Sequence, residues 1–205
     1  KRPEFYHNRV NAGLHVLSCA ALDEAANISG IQPEKIGKLD EATGKVYKVD
    51  LDRQILKPLC QTGRVFAYDS PEYVKDMGTP ERFAAVVRDF QAGTVEAKNL
   101  KLHQKAVFLD RDGTINRYCG FLKNIDEFEL LPGVAESIRE FNAAGFLVIV
   151  VTNQPVVARG EVSFTGLEDI HKKMETLLGQ QGAYVDGIYV CPHHPDRGFA
   201  GEISE

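Results

Sequence analysis

One short stretch constrains this chain more than any other. An apolar segment, residues 106–109, runs directly into Asp110, Arg111, Asp112 and Gly113. A continuous apolar run of this length before a turn predicts a strand that is buried in a parallel sheet. Ligands of open α/β sheets bind beyond the carboxyl ends of the strands. The sequence therefore predicts an α/β fold with a functional site at this turn.

Asp110 and Asp112 have the spacing and the chemistry that phosphoryl transfer requires. Asp110 can attack phosphorus and carry an aspartyl phosphate, while Asp112 protonates the leaving oxygen and then activates water. Two carboxylates this close repel each other unless a cation lies between them, and Mg²⁺ is the simplest candidate. For an isolated motif of this kind, the alternative is a strand that ends in an acidic surface turn.

After its apolar strand, the segment from Asp110 to Thr114 resembles the first motif of the haloacid dehalogenase superfamily of aspartyl-phosphate phosphatases. The resemblance implies that residues 104–205 form the first part of a Rossmann-like parallel-sheet domain, with Asp110 as nucleophile and Asp112 as acid and base on Mg²⁺. It also assigns Thr152, at the end of a second apolar run, to a hydrogen bond with the transferring phosphoryl group. A strand that ends in Thr and Asn is otherwise a common turn.

The order of elements after this motif fits that resemblance. Residues 117–128 are predicted to form a loop, and residues 132–145 a helix that ends at a glycine in the C′ position. Continuous apolar runs predict strands at residues 146–151 and 185–190, and an apolar stripe predicts a helix at residues 164–178.

The substrate contacts that the resemblance implies lie on three segments. We expect them at the turn, in the following loop and after the second strand, from Arg111, Tyr118, Cys119, Gly120, Phe121, Thr152, Asn153, Gln154, Pro155 and Arg159. Arg159 suits a phosphate or a sugar hydroxyl, although a solvated arginine is an equal alternative.

Cys191 and His193 follow the last predicted strand and have the spacing of half a zinc site. A structural zinc site needs four nitrogen or sulfur ligands, so a loop with a polar histidine couple is the alternative. The segment resembles the branch that contains heptose 1,7-bisphosphate and histidinol-phosphate phosphatases, where a later Cys-x-Cys completes a structural Zn²⁺ site. That pair would fall beyond residue 205.

Residues 1–103 resemble the C-terminal part of sugar-1-phosphate nucleotidyltransferases, through an Asn-Ala-Gly step at Asn11 to Gly13, an acidic run at residues 50–52 and an Asp-x-Gly-Thr-Pro-Glu run that begins at Asp76. The resemblance implies that Asn11 and Gly13 contact the sugar and that Asp76 holds Mg²⁺. The last part of that run is also a good helix start, with Thr79 as N-cap.

The remaining elements of this half are predicted from composition and periodicity. Strands are expected at residues 9–17 and 63–68, a helix at 17–26, and an amphipathic segment at 51–59. Residues 96–105 are polar and basic without periodicity, which predicts a linker and a domain boundary near residue 103.

Composition narrows the class of protein. A formal net charge of -5 without a basic cluster argues against nucleic acid as the main partner, and no run of about 18 apolar residues predicts a membrane span. Four scattered cysteines and the absence of a secretory signal favour the cytoplasm. The oligomeric state stays open.

The chain begins without methionine and ends after a loop-like stretch, so we expect a piece of a longer protein. The glycine-rich nucleotide loop of the transferases, and the third-motif lysine and fourth-motif acid of the phosphatases, have no counterpart here. Severely impaired catalysis is therefore expected.

Together, the two resemblances imply part of a bifunctional enzyme of nucleotide-activated heptose synthesis. One module would remove the C7 phosphate of D-glycero-D-manno-heptose 1,7-bisphosphate, and the other would join the 1-phosphate to a nucleotide. The alternatives are a histidinol-phosphate phosphatase and a non-catalytic, sugar-binding scaffold. The anomer and the nucleotide stay open.

Overall fold

The computed structural model describes residues 4–41 and 43–203, and the chain divides into two compact units. The smaller unit is residues 13–70, and the larger one combines residues 1–12 with residues 71–205. The larger unit contains a three-stranded parallel sheet with helices, which confirms the predicted α/β class. The predicted boundary near residue 103 falls within this unit and stays a prediction. Both chain ends lie outside the described residues.

The smaller unit is mostly helical. It contains α1 (Cys19–Ile28), a 3₁₀ turn (Pro33–Lys35), a two-residue antiparallel pair of β1 (Leu39–Asp40) and β2 (Lys45–Val46), and a π-helical segment (Leu51–Leu56) that continues into α2 (Lys57–Cys60). Ser18 caps α1, close to the predicted helix start.

The small core of this unit explains which parts of the predicted amphipathic segment are buried. Ile55 and Leu59 pack around Ala25, whereas Leu51, predicted on the same face, is 44% exposed. Residues 51–56 form a π-helical turn, which has more residues per turn than an α-helix. Leu51 therefore does not lie on the same face as Ile55 and Leu59.

Two predicted strands are wrong. Residues 9–17 and 63–68 lie in irregular backbone, apart from a bend at Gly13 and a turn that ends at Gly63. Phe66 and Tyr68 are 86% and 88% exposed, so they lack the packing that favours aromatic residues in strands. A segment with strand-like composition forms a strand only where a neighbouring strand or helix covers its side chains.

The sheet of the larger unit consists of β3 (Ala106–Leu109), β4 (Leu147–Asn153) and β5 (Gly187–Cys191), in the order β3-β4-β5 with all strands parallel. Leu109 pairs with Val150, and Asn153 pairs with Cys191. The three predicted strands are confirmed, with bounds shifted by up to two residues. Their carboxyl ends bring three predicted site segments to one edge of the sheet.

Two long helices cover one face of this sheet. They are α5 (Val134–Ala143) and α6 (Phe164–Gln180), and both confirm predicted helices. Gly145 has φ +77° directly after the C-cap of α5, as predicted for the C′ position. A 3₁₀ turn (Ile125–Glu127) interrupts the predicted loop.

Alternation along the strands separates the two faces of the sheet. Val148 and Val150 are fully buried and share a core with Ile138 of α5 and Met174 of α6. On the opposite face, Phe108, Val151 and Tyr189 are 69%, 49% and 64% exposed. Both helices therefore lie on the face of Val148.

Two further helices precede the sheet, α3 (Pro80–Gln91) and α4 (Thr94–Ala97). Thr79 accepts a hydrogen bond from the Arg82 amide and Pro80 is the first helical residue, which confirms the predicted helix start. Among the residues described, no helix is long and apolar enough to cross a membrane.

The first described residues pack on α6, a contact that sequence patterns did not predict. The Tyr6 amide donates to Thr176 Oγ1 at 3.0 Å, and His7 hydrogen-bonds to Glu175 and Glu168 at 2.5 and 3.0 Å. Glu175 and Thr176 are both buried.

Candidate active site

The turn after β3 is built around the carbonyl of Arg111. This oxygen accepts hydrogen bonds from the amides of Ile115 at 2.8 Å and Asn116 at 3.1 Å, and the Gly113 amide donates to the Asn116 carbonyl at 2.8 Å. Gly113 has φ +84°, a left-handed conformation that residues with a side chain rarely adopt. The turn that the sequence predicts at this glycine is confirmed, and it places Asp110 and Asp112 at one end of the sheet.

A cavity of about 280 Å³ lies at this edge. Two predicted carboxylates, three residues of the following loop and three residues from the end of β4 line it: Asp110, Asp112, Tyr118, Gly120, Phe121, Val151, Asn153 and Gln154. All of these except Val151 are residues that the sequence analysis assigned to a site. The fold thus brings residues from three separate segments to one concave surface, which is the usual form of a small-molecule site.

The Asp112 carboxylate is the most heavily hydrogen-bonded group in the cavity. Its Oδ1 accepts from Arg111 Nε at 3.1 Å and Asn116 Nδ2 at 3.0 Å. Its Oδ2 accepts from Arg111 Nη2 at 2.8 Å and Gln154 Nε2 at 2.7 Å. An ionised carboxylate has about four acceptor positions, and protein donors reach both of its oxygens. Asp112 is therefore held in one orientation.

These contacts also decide the ionisation of Asp112. Burial by itself would raise the pKa of the carboxyl, but the hydrogen bonds and charge of Arg111, with hydrogen bonds from Gln154 and Asn116, hold the pKa below its ordinary value. The carboxyl is therefore ionised at neutral pH in the free protein.

Arg111 lies behind the cavity and has no solvent exposure. Beyond Asp112, its Nη2 donates to Gln154 Oε1 at 2.8 Å and its Nη1 to His171 Nε2 at 3.2 Å. The guanidinium is therefore an internal support of the site. This arrangement does not favour the predicted contact between the Arg111 side chain and substrate.

His171 is the residue at this site that sequence reasoning missed. It lies on α6 and is 6% exposed. Burial, followed by the charges of Arg111 and His7, lowers the pKa of the imidazole to about 4. The signal in the sequence is its position: His171 falls four residues after Leu167, directly after Ile170, on the apolar stripe of an otherwise amphipathic helix.

The other predicted phosphoryl and sugar contacts lie around the cavity. Thr152 is buried, and its Oγ1 accepts from Gln154 Nε2 at 2.8 Å. Cys119 is exposed in the loop, and Pro155 follows Gln154 half-buried. Their roles with a ligand stay predictions.

Arg159 reaches the cavity through an aromatic contact. Its guanidinium carbon lies 4.2 Å from the centre of the Phe121 ring, and its Nη2 lies 2.9 Å from His194 Nε2. Phe121 lines the cavity and Arg159 does not, and the name rim is used below for the exposed lining aromatics Tyr118 and Phe121 together with Arg159.

Cys191 and His193 lie together, with Sγ 3.9 Å from Nδ1. No third histidine, cysteine or acidic residue joins them in residues 4–41 and 43–203. Two ligands do not make a structural zinc site, so this part of the chain does not support the zinc prediction.

Asp76, the predicted metal residue of the transferase module, has partners within its own segment. Asp76 accepts from the Gly78 amide at 2.8 Å and pairs with Arg82. Asn11 belongs to the larger compact unit and Gly13 to the smaller one. Their roles with sugar and Mg²⁺ stay predictions.

The donors at the cavity fit Mg²⁺ better than Zn²⁺. Asp110 and Asp112 present oxygen atoms, the ligands that Mg²⁺ prefers, and the described residues contain no group of three protein ligands. Mg²⁺ is commonly held by one or two carboxylates together with water and substrate phosphate. Asp110 and Asp112 are therefore the residues that would hold it.

Comparison with known proteins gives matches to phosphatases. The chain is 43% identical over 100 residues to the D-glycero-β-D-manno-heptose-1,7-bisphosphate 7-phosphatase of Yersinia pestis, covering 49% of this chain and 53% of that protein. The enzyme of the same name from Escherichia coli K12 is 46% identical over 90 residues, covering 44% and 47%. That of Haemophilus influenzae is 41% identical over 101 residues, covering 49% and 54%.

A solved structure is also similar. The D,D-heptose 1,7-bisphosphate phosphatase of B. bronchiseptica, complexed with magnesium and phosphate, matches with 41% identity and a TM-score of 0.45, over 48% of this chain and 55% of that one. No family model matches the chain. The chain spans about half the length of the curated relatives it matches, and heptose bisphosphate phosphatases thus match about half of the chain.

Proposed function

We propose that the cavity at the end of β3 is the active site of a Mg²⁺-dependent phosphatase that removes the C7 phosphate of D-glycero-D-manno-heptose 1,7-bisphosphate. The observation that carries the proposal is that Asp110 and Asp112 line one cavity, with Asp112 held by four hydrogen bonds. The sugar phosphate is suggested by the substrate in the names of the relatives.

In the first step, a carboxylate oxygen of Asp110 attacks the phosphorus, and the bond between phosphorus and the C7 oxygen breaks. Asp112 gives a proton to the departing oxygen, so the sugar leaves as an alcohol. Asp112 is ionised in the free protein and has to take up that proton first. The negative charge of a bound phosphate favours its protonation, because like charges raise the pKa of a carboxyl.

In the second step, water attacks the phosphorus of the aspartyl phosphate and gives a proton to Asp112. The bond between phosphorus and the Asp110 oxygen breaks, which releases inorganic phosphate and restores both carboxyl groups. The fixed orientation of Asp112 suits this step, because a general base works only within hydrogen-bond reach of the proton it accepts. When bound, Mg²⁺ supplies positive charge that offsets the charge of the phosphoryl oxygens.

The rim of the cavity suits a sugar with a second phosphate. Tyr118 and Phe121 are exposed aromatic residues of the lining, and aromatic faces pack well against the apolar faces of sugar rings. Arg159 beside Phe121 suits a phosphate, because arginine forms charge-assisted hydrogen bonds with phosphate oxygens. In a 1,7-bisphosphate, the C7 phosphate would lie at Asp110 and the 1-phosphate near Arg159.

The bifunctional part of the prediction rests on the sequence resemblance alone. In it, residues 1–103 would act in nucleotide transfer to the 1-phosphate, through Asn11, Gly13 and Asp76. Location in the cytoplasm likewise stays an expectation from composition. The histidinol-phosphate alternative differs from the proposal in its substrate, and the scaffold alternative differs in having no turnover.

The test is phosphate release from the 1,7-bisphosphate with Mg²⁺, measured in parallel with histidinol phosphate. We expect slow release from the bisphosphate, in line with the impaired catalysis expected from the sequence. This release should be lost in Asp110→Asn and retained in Asp126→Asn, a matched change at an exposed acid outside the cavity. Preference for histidinol phosphate would favour the rival substrate. Release that Asp110→Asn leaves unchanged, or no release from any variant, would contradict the proposal.

A further inference from the structure

A buried line of polar groups connects α6 with the catalytic turn. Asp112, Arg111 and His171 follow one another through hydrogen bonds of 2.8–3.2 Å, although they come from a loop after β3 and from the middle of a helix. Arg111 has no solvent exposure and His171 is 6% exposed. Neither Arg111 nor His171 lines the cavity.

The direction of the hydrogen bond between Arg111 and His171 follows from the chemistry of the two groups. A guanidinium only donates hydrogen bonds, so Nε2 of His171 must accept the one from Nη1 at 3.2 Å. The imidazole is therefore neutral, with its proton on Nδ1. His171 acts as an acceptor whose place is set by the packing of α6, where the neighbouring Ile170 and Met174 are buried in the main core.

The guanidinium needs such an acceptor. Its Nε and Nη2 donate to Asp112 and Gln154, which lie on the cavity side, and the hydrogen bond from Nη1 is the one that ties it to a helix. Loss of His171 would leave a buried donor unsatisfied, which is costly enough to make the guanidinium shift. Asp112 would shift with Arg111, because both carboxylate oxygens of Asp112 accept hydrogen bonds from the Arg111 guanidinium.

We propose that His171 is a positioning residue of the phosphatase centre, which orients the Asp112 carboxylate by accepting the hydrogen bond of Arg111. This inference rests on the proposed function and adds a residue to it. His171 touches no reacting atom and acts through Arg111. Replacing His171 should therefore lower the rates of the steps in which Asp112 gives or takes a proton, while substrate binding changes little.

Variants at one position separate this role from simple packing. We expect His171→Leu, which fills the space without an acceptor, to lower kcat for the bisphosphate about tenfold with little change in KM. His171→Gln offers an amide oxygen as acceptor and should recover most of that loss. Ile170→Val, a small change at the buried neighbour on α6, should leave kcat within about twofold.

The leaving group provides a second criterion. The phenolate of p-nitrophenyl phosphate departs without a proton, so its phosphorylation step does not need Asp112 as an acid. We expect His171→Leu to lower the rate of that step much less for this ester than for the bisphosphate. In Asp112→Asn, the change at His171 should have almost no further effect, because the group it positions is already lost.

A stability measurement keeps the inference separate from the proposed function. If neither this chain nor any variant releases phosphate, the proposed function fails, and urea unfolding of His171→Leu, Asp112→Asn and the double variant still reports whether the two residues are coupled. Non-additive changes would support positioning of Asp112 by His171. Three results would each overturn the inference: additive changes in the free energy of unfolding, equal losses of kcat in His171→Leu and His171→Gln, or equal losses in the rate of the phosphorylation step for both esters.

Discussion

Arg111 holds both carboxylate oxygens of Asp112 from a fully buried position: its Nε lies 3.1 Å from Oδ1, and its Nη2 lies 2.8 Å from Oδ2. The two residues are adjacent in sequence and directly precede the turn at Gly113. A bidentate pair fixes orientation as well as charge. The carboxyl proposed to move the proton is therefore placed by a residue that does not line the cavity.

The first prediction concerns the stability of this pair. Replacing Arg111 with Met should lower the free energy of unfolding by about 3–5 kcal/mol, because it leaves Asp112 partly buried without its cation. The matched control is Arg117→Met, since Arg117 pairs with Glu129 on the surface and both side chains are exposed. That change should stay within about 0.5 kcal/mol. Urea unfolding measures both, and equal effects would contradict the account.

The second prediction concerns pH. The pKa of His171 is lowered to about 4, first by burial and then by the charges of Arg111 and His7. Because this value is below the ordinary 6.5, folding favours the neutral imidazole. Its contribution to stability is thus fully present above pH 6.5 and is lost as the pH falls towards 4. A shift of this size corresponds to about 3 kcal/mol.

Urea unfolding at pH 7 and pH 4 measures this contribution. The unmodified protein should lose about 3 kcal/mol more than His171→Gln between the two pH values. His103→Gln, a change at an exposed histidine, should follow the unmodified protein. A His171→Gln variant with the same pH dependence as the unmodified protein would show that the imidazole is not held neutral.

The third prediction concerns the metal. Removal of Mg²⁺ with EDTA should abolish phosphate release, and added Mg²⁺ should restore it, because the donors at the cavity are carboxylate oxygens. Calorimetric titration with Mg²⁺ gives a readout without turnover: Asp110→Asn should bind at least about tenfold more weakly, while Asp126→Asn should bind normally. Phosphate release that persists in EDTA would refute the role of the metal.

The fourth prediction concerns the rim. Arg159→Ala should raise KM for the bisphosphate about tenfold with kcat nearly unchanged, because a contact to the distant phosphate acts equally in the ground and transition states. Arg197→Ala, a change at an exposed arginine that does not line the cavity, serves as the control. Steady-state kinetics decides, and an unchanged KM in Arg159→Ala would place the second phosphate elsewhere.

The sheet and its helices could be predicted because each has a strong local pattern. The apolar runs that became β3, β4 and β5, and the apolar stripes of α5 and α6, leave one arrangement that buries them. Strands in a parallel sheet end at a common edge, so the same patterns also indicated that Asp110 and Asn153 would meet. For these elements, the structure that the local sequence pattern favours is also the one that the packing of the core requires.

The failures occur where tertiary contacts decide the outcome. Residues 63–68 have a strand-like composition but no neighbouring strand, and they remain irregular. The contact of the Arg111 guanidinium with His171 of α6 is likewise a tertiary contact that no local pattern reports, while the predicted role of Arg111 with a ligand stays a prediction. The docking of His7 on Glu175 joins residues 168 positions apart, which no local pattern reports.

The most direct test of the central claim is to locate the covalent phosphate. The Asp112→Asn variant lacks the base of the second step, so with Mg²⁺ and p-nitrophenyl phosphate it should accumulate an aspartyl phosphate that borohydride converts to homoserine. Peptide mass spectrometry should place homoserine at position 110, and the Asp110→Asn, Asp112→Asn double variant should give none. Homoserine at another aspartate, or none at Asp110, would contradict the account.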